Sequence, residues 1–189
     1  MEEAYDDTRS KADFKALRER VGLSQQDVAS ALDVNIKTVK NWENPKQERY
    51  LIPVDAWDYL EDAAELQRQQ VSYACAVVAQ QVESFGMEPV TVPITYYRDQ
   101  KMYDEFGRDP GPFGQANANA RAVGYELERR GIDVEYRYPC EGAIIRFKST
   151  ETEETMEYID IELGGWNIPE TIVTEPQPVD VTDCSGFEL

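Results

Sequence analysis

The sequence has no histidine, three widely separated cysteines and no long apolar run, and each shortage excludes a class of function. Without histidine, Ser-His-Asp, Cys-His and HExxH sites cannot be built. Cys75, Cys140 and Cys184 form no CxxC pair, so we expect neither a metal nor a cofactor. No apolar stretch approaches the roughly 20 residues of a membrane span. These absences predict a protein that is not an enzyme and has no membrane segment. The odd number of cysteines is typical of reduced thiols in the cytoplasm.

Positive charge is scarce and unevenly distributed. The 189 residues carry 19 Lys or Arg against 37 Asp or Glu, a net charge of −18. Residues 8–50 nevertheless hold nine basic and six acidic groups, whereas residues 149–189 hold eleven acidic groups and no basic one. A mildly basic module joined to a strongly acidic remainder indicates different roles for the two parts.

The basic segment has the pattern of three short helices. The apolar spacing over residues 12–20 predicts the first helix. Ser24 can cap a second helix, with Asp27 three residues on, where an acid favours the positive end. Asn35 is a good N-cap for a third helix, which residues 44–45 (Asn-Pro) should end.

A long helical pattern follows Pro53, with neither Gly nor Pro over residues 54–85, and Gly86 is its expected stop. Its apolar residues recur at intervals near three and four. Two interpretations remain open: a dimer seam, or a helix buried against the sheet of its own chain. The residues of this series are Trp57, Leu60, Ala64, Val71, Ala74 and Val78.

The remaining pattern mixes strands with one helix. Residues 89–97 read as a strand, and the prolines within it predict an edge strand. A helix over 115–130, a strand over 132–138, and a hairpin of residues 143–148 and 156–163 follow. The predicted fold class is α+β: an all-α N-terminal bundle, a long connecting helix, a small mixed α/β domain with a mostly antiparallel sheet, and an acidic C-terminal tail. The corresponding segments are 10–50, 53–86, 87–165 and 166–189.

The segment 10–50 carries a motif with specific spacing. It runs Phe14-x-x-Leu17-Arg18-x-x-x-Gly22-Leu23-Ser24-Gln25-x-x-Val28-Ala29-x-x-Leu32-x-Val34-Asn35-x-x-Thr38-Val39-x-x-Trp42-Glu43. This motif resembles the Cro/CI-type (XRE) helix-turn-helix domain. Asp33 stands where that family usually has glycine. Aspartate tolerates a left-handed backbone better than most residues, so we expect the turn to be retained.

The resemblance implies a double-stranded DNA-binding surface and a structural pair. Arg18 and Glu43 match the family's buried ion pair, and Gln25 matches a position that contacts the DNA backbone. The third helix should present its outward residues to base edges and phosphates in the major groove. The candidate DNA-binding residues are Gln25, Asn35, Ile36, Lys37, Thr38, Lys40, Asn41, Asn44, Lys46 and Arg49.

A more diffuse pattern over residues 10–130 is similar to the YdiL-like family of helix-turn-helix regulators. It comprises the Trp-Glu-Asn of residues 42–44, the helix after Pro53, a short strand, Tyr97 and Tyr103, and a Pro-Gly turn before another helix. The resemblance implies a regulator whose second domain dimerises or senses a signal.

These patterns lead to one functional hypothesis and one alternative. The first is a sequence-specific transcriptional regulator, a repressor that binds an inverted-repeat operator as a homodimer. The alternative is an antitoxin-like or inhibitor protein whose acidic C-terminal half binds a basic protein partner, with autoregulation through the helix-turn-helix.

Overall fold

The computed structural model describes residues 9–107, 109–141, 143–149 and 155–160. Within them the chain is α+β. The predicted acidic tail, residues 166–189, lies outside the described residues. The helices are α1 (Lys11–Arg20), α2 (Gln25–Ala31), α3 (Ile36–Trp42), α4 (Val54–Phe85), α5 (Gln100–Phe106) and α6 (Phe113–Arg129). The strands are β1 (Met87–Thr95), β2 (Asp133–Arg137), β3 (Ala143–Ser149) and β4 (Thr155–Asp160).

Side-chain caps define where the three N-terminal helices begin. Ser24 caps α2 by accepting a hydrogen bond from the Asp27 backbone N–H, and the Asp27 carboxylate accepts one from the Ser24 backbone N–H. Ser10 starts α1 with the same reciprocal arrangement. The Asn35 Oδ1 accepts from the Lys37 N–H at the start of α3. Each cap satisfies a backbone donor that has no partner within the helix, so the helix starts predicted at Ser24 and Asn35 are confirmed.

The long helix α4 contributes to two separate hydrophobic cores. Its first half packs with α1–α3, where Phe14 makes edge-to-face contacts with Trp42 and Trp57. Its second half packs with α6, β1 and Ile132. The apolar series predicted as a possible dimer seam lies in these two cores: Trp57, Leu60 and Ala64 in the first, Ala74 and Val78 in the second, and Val71 packed against the second. This placement supports the interpretation that the series is buried within its own chain.

The sheet corrects the predicted fold class, which had a mostly antiparallel sheet. That expectation is wrong for the pairing of β1 with β2, so the sheet is mixed. β1 and β2 pair in parallel, with Thr91 opposite Asp133 and Thr95 opposite Arg137. They are joined through α6, since parallel neighbours need a crossover long enough to return the chain to the same end. β3 and β4 add antiparallel pairings, giving a mixed sheet of order β2-β1-β3-β4.

The prediction that the first strand lies at an edge is also wrong, since β1 lies between β2 and β3. The pairing shows how its prolines are accommodated. In the sheet, residues 87–91 pair with β3 and residues 91–95 pair with β2, so each half of β1 has one paired side. Pro89 lies next to a register shift in the first half, and Pro93 lies in the second. Each proline therefore occupies a stretch that resembles an edge locally.

Besides the first core, two further contacts among the described residues link the N-terminal helices to the rest of the protein. Arg9 pairs with Glu61 of α4 and lies over the Trp57 ring, 4.8 Å from its centroid. Gly22, between α1 and α2, lies against Gly114 in the first turn of α6. A Cβ added to Gly22 would lie 2.1 Å from the Gly114 carbonyl oxygen, so the two backbones approach as closely as glycine permits.

Buried and half-buried amides position α6 on the sheet and on α4. Asn117 accepts a hydrogen bond from the Tyr97 N–H at 2.8 Å and donates one to the Tyr97 carbonyl at 2.7 Å. Asn119 accepts from Gln67 and donates to Gln70, both on α4. These polar groups are satisfied within the chain, so they fix the register of the second core.

Candidate nucleic-acid interface

The turn between α2 and α3 has the geometry that the motif predicts. It occupies the four residues 32–35, and Asp33 adopts φ 51°, which confirms the left-handed conformation expected there. The next residue, Val34, donates its backbone N–H to the Ala29 carbonyl at 2.9 Å. This turn orients α3 across α2, the arrangement that helix-turn-helix proteins use to place a helix in the major groove.

A buried ion pair ties α1 to the end of α3. Arg18 Nε donates to Glu43 Oε1 at 2.6 Å and Arg18 Nη2 donates to Oε2 at 3.0 Å, a bidentate pair. The two side chains are only 9 % and 5 % exposed. Arg18 Nη1 also donates to the Leu23 carbonyl at 2.7 Å. With most polar atoms of the pair satisfied, it fixes the orientation of α3 relative to α1.

The exposed side of α3 carries basic and amide groups. Lys37 and Lys40 are exposed, Asn41 is half-buried, and Val39 and Trp42 face the core. Lys37 and Asn41 are four residues apart, which places them one turn apart on the same face. The structure therefore brings these three predicted contact residues together on one side of a short, firmly anchored helix.

Three other predicted contact residues use their side chains within the domain. Gln25 Nε2 donates to Glu43 Oε2 at 2.7 Å, so its amide extends the buried ion pair. Asn35 is the cap of α3 described above. The Asn44 Oδ1 accepts from the Lys46 N–H at 2.9 Å and shapes the loop after α3. The side chains of these three residues therefore stabilise the domain that carries the exposed face of α3. The Lys46 side chain is exposed next to that face.

The last three predicted residues border the surface in different ways. Ile36 is half-buried and packs against the first core. Thr38 lies on one side of α3 and lines a groove next to that helix. Arg49 is exposed, with its guanidinium over the Tyr50 ring at 4.9 Å and Nη2 donating to the Tyr50 hydroxyl at 3.2 Å. Arg49 therefore lies in the loop beyond α3 rather than on the helix itself.

Lys11 is a residue of this site that the motif did not indicate. Its Nζ donates to the carbonyls of Asn41 and Trp42 at 3.1 Å and of Tyr50 at 2.5 Å. A cation at the C-terminal end of α3 is favourable because the last carbonyls of a helix carry partial negative charge. Burial lowers the pKa of the Lys11 ammonium. These contacts join residues 30, 31 and 39 positions apart, so no local pattern could have predicted them.

A groove of about 480 Å³ runs beside α3. One wall comes from the α2–α3 turn and the side of α3, through Leu32, Val34 and Thr38. The facing wall is formed by residues 49–56, which include the loop before α4 and its first turn. The groove is thus adjacent to the exposed face of α3 without being part of it.

The described part of the chain offers no metal site and no membrane-spanning helix. In residues 9–107, 109–141, 143–149 and 155–160, no group of three or more acidic or cysteine side chains could hold a metal ion. No helix in the same ranges is long and apolar enough to cross a membrane. Cys75 is buried without a disulfide. No family model matches the chain, and no curated protein matches it.

Proposed function

We propose that this protein is a cytoplasmic, sequence-specific DNA-binding regulator of transcription that binds an inverted-repeat operator as a homodimer and represses by occupying it. The observation that carries the proposal is the exposed face of α3, with Lys37, Lys40 and Asn41, on a helix anchored by the bidentate Arg18–Glu43 pair. An anchored helix with exposed basic and amide side chains has the shape and chemistry to enter the major groove.

The side chains of α3 suggest how bases would be read. Lys37 can donate to guanine O6 and N7, and Asn41 can pair with adenine N6 and N7. Lys40 and Lys46 are suited to phosphates, which position the protein without specifying sequence. Two such helices in a dimer would lie about one DNA turn apart, so half-site centres should be about 10 base pairs apart.

The decisive experiment is selection of bound duplexes from a random DNA pool by the full chain. We expect recovery of an inverted repeat. Recovery of random sequence would contradict the proposal.

Variants then test whether α3 is the reader. Lys37→Ala and Asn41→Ala should each lose about 1–3 kcal/mol of operator binding and relax selectivity at one position per half-site. Lys46→Ala should weaken operator and scrambled DNA alike and reduce the salt slope by about one unit. Lys15 is exposed on α1, so Lys15→Ala is the matched control for the loss of one positive charge. If Lys37→Ala and Lys15→Ala lose equal affinity for both duplexes, α3 is not the reader.

The charge of residues 149–189 favours a second function. Eleven acidic groups without a basic one could neutralise a basic protein partner, with DNA binding used for autoregulation. A basic protein that co-purifies with the full chain in a fixed ratio, and is lost when residues 166–189 are deleted, would favour this function. A chain that binds its operator equally well with or without that deletion, and has no such partner, favours the regulator alone.

A further inference from the structure

The groove beside α3 has both charged and apolar residues at its exposed edges. Three of its lining residues are exposed, and these are Arg49, Leu51 and Asp55. Leu51 is 46 % exposed, so a partner that covered it would remove apolar surface from water. The floor of the groove includes Trp42 and Ala56, which are buried. The groove therefore combines an apolar cleft with an exposed apolar side chain, Leu51, that could fill the same cleft on a second copy of the chain.

The two exposed charges at the groove have opposite signs, which a two-fold interface can pair. Arg49 is basic and Asp55 is acidic, and both lie at the same groove as Leu51. In a two-fold interface the same patch meets itself, so residue i contacts residue j and j contacts i. An oppositely charged pair on one patch then forms two ion pairs across the symmetry axis. A patch with one sign of charge would repel its own copy instead.

The apolar series predicted as a seam on the long helix does not compete with this groove as the pairing surface. The apolar series of α4 is buried in the two cores of its own chain, so it is not available for a seam. The groove also borders α3 through Thr38, so pairing there would set the distance between the two α3 helices. A regulator that reads an inverted repeat needs that distance fixed.

We infer that this groove is the homodimer interface of the protein, with Leu51 of each copy seated in the groove of the other and Arg49 paired with the partner's Asp55. The inference rests on the proposed function for its biological use, because the dimer aligns two readers. Dimerisation itself is measured without DNA, so the two can fail separately.

A charge-exchange experiment on the full chain tests the pairing by sedimentation over a concentration series. Arg49→Asp and Asp55→Arg should each weaken dimerisation by about tenfold or more, because like charges then face each other. The double variant should restore it to within about threefold of the original chain, since the pairs re-form in reverse. Lys15 is exposed on α1, so Lys15→Asp controls for the change in net charge made by Arg49→Asp. A monomeric original chain, or single variants that dimerise unchanged, would overturn the inference.

Leu51→Asp provides a second, independent measurement. It should abolish dimerisation while circular dichroism and the melting transition stay close to those of the original chain, because Leu51 is exposed within one copy. If that variant fails to fold, the charge exchange decides the question alone. Unchanged dimerisation of a folded Leu51→Asp variant contradicts the inference.

Binding to a duplex with a single half-site separates this inference from the proposed function. Monomeric Leu51→Asp should bind one half-site as well as one copy of the original chain does, and lose affinity for the full operator. A dimer that responds to charge exchange, yet selects no DNA sequence, would refute the proposed function and leave the interface standing. Specific half-site binding, with dimerisation unaffected by these substitutions, would refute the interface and support the proposed function.

Discussion

The close approach of Gly22 and Gly114 can be tested by adding one methyl group. Gly114 lies in the first turn of α6, and a Cβ there would be 2.5 Å from the Gly22 carbonyl oxygen. The obstacle is backbone, so no side-chain rotation can relieve it. Gly114→Ala must therefore separate the α1–α2 turn from α6.

The size of the effect follows from two opposing contributions. Alanine in place of glycine favours a helix by up to about 1 kcal/mol, and less in a first turn. Overpacking a close contact costs about 1–3 kcal/mol. We expect Gly114→Ala to lower the free energy of unfolding by about 1–2 kcal/mol, because the steric cost exceeds the helical gain.

Gly111 offers a matched control three residues away. A Cβ at Gly111 would meet no atom within 4 Å, and its φ lies outside the left-handed region. Gly111→Ala should therefore be neutral or stabilising by up to about 1 kcal/mol. Gly22→Ala should be the least stable of the three, because φ is +77° there and the added Cβ would also lie 2.6 Å from Ala118 Cβ.

The assay is urea denaturation followed by circular dichroism. The expected order of stability is Gly111→Ala, then Gly114→Ala, then Gly22→Ala. If Gly114→Ala is as stable as Gly111→Ala, the N-terminal helices do not pack on α6 as the structure has them, and the reasoning fails.

Two further predictions concern the N-terminal helices. Glu43→Ala leaves the Arg18 guanidinium buried without its carboxylate and should lower the free energy of unfolding, measured by urea denaturation, by about 3–5 kcal/mol. Glu19→Ala removes an exposed partner of the same arginine and should lower it by less than about 1 kcal/mol. Equal losses in the two variants would contradict a buried pair. Hydrogen bonds from Ser10 lower the pKa of Asp13, so its contribution to stability is present above the ordinary aspartate pKa and is lost as pH falls through the lowered folded-state value. Asp13→Asn should therefore flatten the acid side of the stability profile, and an unchanged profile would refute this.

Local chemistry made the beginnings of the N-terminal helices predictable. The caps at Ser24 and Asn35 bond to backbone groups two or three residues away, so adjacent sequence contains all the information needed. The same holds for Asp33, whose left-handed backbone depends on its own side chain and on the turn around it. The Arg18–Glu43 pair was reached through the family resemblance, since nothing local joins residues 25 positions apart.

The candidate site was predictable only in part for a related reason. Exposed lysines at 37 and 40 follow from helical spacing, because a three-helix bundle leaves one face of α3 open. The side chain of Gln25 has a buried carboxylate within reach, and it bonds to Glu43 in the folded chain. Lys11 reaches the end of α3 only once α1 is packed against it. Such contacts depend on which helices meet, which a one-dimensional pattern does not specify.

The sequence by itself determined five of the six helices that the structure describes, the caps at Ser24 and Asn35 and the uneven charge, whereas α5 was not predicted. Tertiary structure decided the sheet and the packing between the two cores. The prolines of β1 indicated an edge strand, but its two neighbours pair with different halves, so a central strand accommodates both Pro89 and Pro93. The parallel direction of β2 came from the crossover through α6. The apolar series of α4 had the same spacing for a dimer seam as for an internal core, and only the position of α6 and the N-terminal helices decided between them. Periodicity identifies which face of an element is apolar, whereas the partner of that face is a property of the whole fold.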